Sequence, residues 1–158
     1  MEIKLRKAEI KKAIAENFGG GVGAYGPAHY LIVRPNGSHR ITACERQCWQ
    51  DDDYVAGIPA PYGDGSAELS ELADEMLEAE GLEPADDEGA IAAADRLAPD
   101  SWQEWQDEAL DWYAEEFLRA LNGEFNDLDI DAAFGTREVE PEHNIEILEC
   151  PFSFEWAE

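Results

Sequence analysis

The stretch Ser101–Asn122, SWQEWQDEALDWYAEEFLRALN, is the longest strongly periodic segment of the chain and holds three of its five tryptophans. Trp102, Trp105, Ala109, Trp112 or Tyr113, Phe117, Ala120 and Leu121 recur at three- and four-residue steps, the signature of one helix face. Ser101-x-x-Glu104 has the spacing of a capping box, and Gly123 after Asn122 can take the left-handed conformation that ends a helix. The other face carries Glu104, Glu108, Asp111 and Glu115. At a rise of about 1.5 Å per residue, neighbouring carboxylates sit roughly 5.5 Å apart along the axis. Like charges at these spacings cost an isolated helix about 0.2–0.5 kcal/mol per pair, so burial of the aromatic face must offset them.

Outward from this helix the chain is acidic, but unevenly. Its 158 residues carry a net charge of −26. Residues 1–46 hold eight bases and four acids, a net of +4, whereas residues 47–158 hold three bases and 33 acids, a net of −30. A polarity of this size is a statement about partners and solubility rather than about fold. Hydrophobic content of 44% with 10% aromatics excludes an acidic disordered tail. The length fits one domain, residues 1–158, able to bury about 70% of its unfolded surface. The charged N-terminus lacks the apolar core of a signal peptide, and no run of about 18 apolar residues exists. The three cysteines, Cys44, Cys48 and Cys150, therefore read as reduced thiols, and the expected compartment is the cytoplasm.

Before the long helix, residues 4–18 are predicted helical, with Lys4, Lys7 and Lys11 on one side and Ile3, Ile10 and Ile14 on another. Residues 19–26 are glycine-rich and read as a hinge: they follow a helix and precede a strand, the reverse of a phosphate-binding loop. Strands at 28–34 and 39–45 flank Pro35-Asn36-Gly37, a hairpin signal. Residues 46–65 are less regular, and their Pro/Gly-rich segment at 57–65 reads as loop. Helices are predicted from Ser66 to Glu80, stopped by Gly81, and from Pro84 to Leu97. Residues 124–143 read as mostly loop, and one or two strands at 144–150 and 152–156 close the chain. The expected class is α+β: an N-terminal helix, a β-hairpin, three central helices and C-terminal strands in a small antiparallel sheet.

The helix at 66–80 repeats the acidic pattern with Glu68, Glu71, Glu75 and Glu78. A solvated surface explains such stripes simply. Adaptation to high salt does not, because the first 46 residues are basic and glutamate (23) outnumbers aspartate (14). The functional reading is imitation of nucleic-acid phosphates. Duplex DNA advances about 3.4 Å per phosphate on each strand, with direct spacings roughly twice that, so carboxylates on rigid helices can meet lysines and arginines built for phosphate. In size, acidity and helix-borne carboxylates over residues 66–122, the chain resembles the DNA-mimic inhibitors that phages and plasmids carry against host defence, of anti-CRISPR and anti-restriction type. That resemblance is one of pattern, and it implies a non-enzymatic inhibitor that blocks the DNA- or RNA-binding groove of a CRISPR effector or restriction enzyme. An immunity protein that neutralises a basic nuclease toxin follows from the same physics. The expected contacts are Glu71, Glu75, Glu78, Glu104, Glu108, Asp111 and Glu115, with Asp51, Asp52 and Asp53 as a secondary patch. No direct nucleic-acid or membrane contact is expected. The N-terminal lysines have a plainer role open to them, pairing with the protein's own acids or with those of a second copy in a homodimer.

No cofactor is required by this reading. The alternative is a small calcium-binding module. Residues 127–138 resemble the EF-hand calcium loop, which implies Asp127, Asp129, Asp131 and Glu138 as ligands and Ala133 as a carbonyl donor, although Ala132 stands where the family has glycine. Cys44-x-x-x-Cys48 with His29, His39, His143 and Cys150 lacks the paired spacings of a zinc site, and nothing local activates a cysteine nucleophile.

Overall fold

The computed structural model describes residues 1–19, 29–43, 52–59, 67–127, 136–139, 144–147 and 150–158. The elements run β1 (Glu2–Leu5), α1 (Lys7–Gly19), β2 (His29–Val33), β3 (His39–Thr42), β4 (Tyr54–Ile58), α2 (Ala67–Glu80), α3 (Ala90–Leu97), α4 (Pro99–Leu121), β5 (Thr136–Val139), β6 (Asn144–Ile147) and β7 (Ser153–Trp156). The class is α+β, as expected. A three-stranded antiparallel sheet has the order β3-β2-β4, β1 pairs with β7, and β5 pairs antiparallel with β6.

The N-terminus departs from the predicted helix. Glu2-Ile3-Lys4-Leu5 alternates in burial, with Ile3 and Leu5 inside, so the two-residue period of a strand governs it and the helix starts only at Lys7. β1 pairs with β7 in parallel, not antiparallel, register: Ile3 lies beside Phe154 and Lys4 beside Glu155. The hairpin is where Asn36-Gly37 predicts it. Its loop is the three-residue kind, with the Gly37 N–H on the Arg34 carbonyl (2.8 Å) and Gly37 at φ 89°. The span 46–65, read as irregular with loop over 57–65, contains β4. Its Ala56 and Ile58 are buried by packing, against a local composition that favours turns.

The predicted helix from Pro84 is shorter than expected. Asp87 has φ 63°, which no continuing helix tolerates, and Glu88 accepts hydrogen bonds from Arg96 and from the Ala85 N–H, holding a turn before Ala90. The Ser101 capping box is not the start of α4 either. Pro99 takes the first helical position, where its missing N–H costs nothing, and Ala98 alone joins α3 to α4. The glycine stops behave as read. After α4, Gly123 at φ 72° donates to the Ala120 carbonyl (3.0 Å) and Glu124 to the Arg119 carbonyl (2.8 Å). Gly81 and Leu82 close α2 in the same way, donating to Glu78 and Leu77. Residues 136–139 form β5, where loop was expected.

Two cores share α4. The first gathers Ile3 and Leu5 of β1, Ile10, Ala13 and Ile14 of α1, Leu31 and Val33 of β2, Ala56 and Ile58 of β4, Ala114, Phe117 and Leu121 of α4, and Phe152 and Phe154. The second is helical: Ala73, Met76 and Leu77 of α2, Ala93 and Ala94 of α3, and Trp102 at the start of α4, with Trp105 half-buried beside them. Of the two aromatic candidates for the α4 stripe, Tyr113 packs on the first core and Trp112 is exposed. Asn122 ties the end of α4 to β7, accepting from the Phe154 N–H and donating to the Phe154 carbonyl, both at 2.9 Å, as a neighbouring strand would.

Candidate acidic interaction surface

The long acidic stripe of α4 divides at its middle. Its second half is neutralised from within the chain. α1 packs along α4, so the three-to-four-residue steps of its lysines meet those of the α4 acids. Lys11 Nζ lies 2.6 Å from Asp107 Oδ1 and 3.1 Å from Asp111 Oδ1. Lys7 Nζ lies 3.4 Å from Asp111 Oδ1 and 2.7 Å from Glu115 Oε1. Glu115 also accepts the Trp156 indole N–H (2.9 Å), and Lys7 stands over the Trp156 ring, 5.8 Å from its centre. The hydrogen bond to Glu115 raises the Lys7 pKa. At Lys11, burial pulls the pKa down, but the hydrogen bonds to Asp107 and Asp111 outweigh it and the net shift is upward. The hydrogen bond from Lys11 holds Asp111 below the usual carboxylate range.

Lys4 follows the same rule, at 2.6 Å from Glu155 and 2.8 Å from Glu2. Lys12 faces Glu16 at 3.9 Å. The N-terminal lysines therefore pair with the protein's own acids, the plainer of the roles considered above. Asp111 and Glu115 cannot be an open continuation of Glu104 and Glu108, because two lysines already occupy them.

The other half of the surface belongs to the helical core. Glu71, Glu75 and Glu78 on α2 and Glu104 and Glu108 on α4 are exposed, and among the described residues none of them has an ion pair. Residues 67–108 hold fifteen acids and one base, Arg96, for a net of −14. That base is committed: its Nε and Nη2 grip Glu88 at 2.8 and 2.7 Å, and the Glu88 pKa is pushed down to about 2, chiefly by this contact. Apolar packing of Met76, Leu77 and Trp102 underneath supplies the stability that offsets the like-charge repulsion above it.

The secondary patch at 51–53 loses Asp53. Asp51 lies outside the described residues and Asp52 is exposed, but Asp53 is 2% exposed, with Arg34 Nη1 3.5 Å from its carboxylate. Entry into β4 turns it inward, because Tyr54 pairs with Val33 and so brings Asp53 beside Arg34. Of the calcium-loop residues, Asp129 and Asp131 lie outside the described residues. Asp127 is exposed, and Glu138 sits in β5 opposite Ile145. An EF-hand has a helix where β5 runs, which departs from the family at that end of the loop. Asp127 is instead anchored by its backbone. Its N–H donates to Glu116 Oε2 (2.6 Å), while Glu116 Oε1 accepts from Arg119 (2.9 Å). Glu116, 4% exposed, is a structural acid that the sequence reading did not single out.

Cys44, Cys48 and His143 lie outside the described residues. Cys150 is half-buried, and burial raises its thiol pKa. Among the described residues, no three His, Cys, Asp or Glu side chains converge as metal ligands would, and no helix is long and apolar enough to cross a membrane. Comparison of the chain with protein families, characterised proteins and solved structures found no match.

Proposed function

We propose that the chain is a binding protein rather than an enzyme, and that it inhibits a basic nucleic-acid-binding protein by presenting helix-borne carboxylates in place of phosphates. The partner would be a host-defence nuclease, of CRISPR-effector or restriction type, with a nuclease toxin as the alternative of the same chemistry. The observation that carries this reading is the contrast within α4. Where a row of lysines runs alongside, at Asp107, Asp111 and Glu115, the helix receives it at 2.6–3.4 Å. Upstream, Glu104 and Glu108, with Glu71, Glu75 and Glu78 of α2, offer the same chemistry at the same helical steps, unmatched by any base in the described residues. The proposed contacts narrow to these five. Steps of three and four residues place their carboxylates about 4.5 and 6 Å apart along each axis, within reach of groups spaced for a nucleic-acid backbone.

The test is a pull-down from bacterial lysate at about 50 and 300 mM salt, repeated with excess duplex DNA and with the quadruple reversal of Glu71, Glu75, Glu104 and Glu108 to lysine. The expected result is capture of a nucleic-acid enzyme that high salt, DNA and the reversal each release. A partner held equally by the folded quadruple variant, or indifferent to salt and DNA, would leave the stripes as ordinary solvated surface.

A further inference from the structure

The chain pairs a carboxylate with a tryptophan once for its own use. Lys7 Nζ lies 2.7 Å from Glu115 Oε1 and 5.8 Å from the centre of the Trp156 ring, and the Trp156 indole N–H donates to the same carboxylate oxygen (2.9 Å). The carboxylate supplies charge, and the ring attracts the cation through its quadrupole. The same two groups stand together again on α4, in the open. The row Asp107, Asp111 and Glu115 receives the lysines of α1. Beside it, at the same four-residue steps, runs the row Glu104, Glu108 and Trp112, with Trp105 three residues before Glu108. Trp112 is 45% exposed, the only exposed tryptophan among the described residues, and meets Tyr113 edge-on with ring centres 5.2 Å apart. Glu104 and Glu108 have no ion pair among those residues.

We infer that Trp112 anchors this face and receives an arginine of the protein partner, the guanidinium stacked on the indole and its fork turned to Glu108. The inference rests on the reading of the acidic surface as a docking face for a basic protein, and adds which cation it selects and where. Charge decides the class of occupant. Nucleic acid and anionic lipid are repelled by the carboxylates, and a second copy would bring its own net charge of −26. The ring decides between the cations. A guanidinium is planar and weakly hydrated, so it can lie on an aromatic face while its N–H groups reach sideways to a carboxylate, whereas an ammonium is a compact, strongly hydrated point charge. Tryptophan and arginine are also the residues on which protein interfaces most often depend.

The experiment is an NMR titration of the full chain with tetra-arginine and tetra-lysine amides at about 50 mM salt, low enough to leave surface charges weakly screened. It reads the backbone amides of α2 and α4 and the Trp112 indole N–H, the latter assigned by its loss in Trp112→Phe. Both peptides are expected to shift the amides around Glu104 and Glu108, and tetra-arginine to bind more tightly and to move the Trp112 indole. Trp112→Leu, at an exposed position, is expected to weaken tetra-arginine by about two- to fivefold and tetra-lysine by less, with Trp112→Phe between wild type and Trp112→Leu. Tetra-arginine affinity unchanged in Trp112→Leu, or both peptides weakened equally, would overturn the inference and leave the acidic surface standing. Absence of shifts from either peptide along α2 and α4 would overturn both. A homodimer in sedimentation that Trp112→Leu dissolves would assign the face to a second copy and overturn the inference by another route.

Discussion

The two halves of α4 are chemically alike and physically opposite. Asp107, Asp111 and Glu115 are bound by Lys7 and Lys11, and this part of the helix packs on the first core. At Glu104 and Glu108 the acids face outward beside a helical core, and Arg96, the one base of residues 67–108, is held by Glu88. A carboxylate on a helix is thus not one kind of object. Its meaning depends on whether another part of the chain brings a cation to it.

The largest test of this division concerns the cores. Phe117→Ala, at a fully buried site of the first core, is expected to cost about 3–5 kcal/mol in chemical denaturation, and Met76→Ala in the second about 2–5 kcal/mol. Hydrogen exchange should separate them, with Met76→Ala loosening residues 67–105 while the amides of α1 and β2 stay protected. Equal loosening throughout would mean that α4 couples the cores into one unit.

Next in size is Glu116→Ala, which removes the acceptor of the Arg119 and Asp127 N–H groups. A loss of about 1–3 kcal/mol is expected, with faster exchange at residues 122–127.

The same chemical edit should then change sign between the paired acids of α4 and the unpaired acids of α2. Asp111→Asn leaves two lysines with weakened partners and should destabilise by about 0.5–1 kcal/mol, a figure already reduced for its half-exposed setting. Glu75→Gln relieves like-charge repulsion and should stabilise by about 0.2–0.5 kcal/mol. Thermal melts of both variants would show it, and two losses would erase the distinction.

The smallest effects are those of pH. Glu88 has its pKa lowered in the folded protein, so its contribution is present above about 4.5 and disappears as pH falls through about 2, in the helical half. Lys7 and Lys11 have theirs raised, so their contribution is present below the ordinary lysine range near 10.4 and is lost as pH rises through the shifted values, in the other half. Acid should therefore weaken both contacts, since Asp111 is also held below the usual carboxylate range, whereas of the two alkali should weaken the α1–α4 contact, as followed by residue-resolved exchange.

Much of the architecture is legible in the chain because it is local. The stripe of Trp102, Trp105 and Phe117, the stops at Gly81 and Gly123 and the turn at Asn36-Gly37 are settled by residues within a few positions of one another. β4 and β1 are not legible in that way. Ala56 and Ile58 become strand residues only by pairing with β2, and Ile3 and Leu5 only by lying beside Phe154 and Trp156 from the far end of the chain. The candidate site splits along the same line. The existence of two acidic stripes and a basic N-terminus is visible in the letters alone. That Asp111 and Glu115 are occupied, that Asp53 is buried against Arg34, and that Glu116 is structural are facts of through-space distance.

By itself, then, the sequence determined the helical periods, the glycine-controlled ends and the charge imbalance, since each follows from side-chain type and near-neighbour spacing. Tertiary structure alone decided which charges meet across long stretches of the chain. Lys7 and Glu115 are 108 residues apart in the chain and 2.7 Å apart in space, and only the burial of Ile10, Ile14 and Phe117 in one core brings them together.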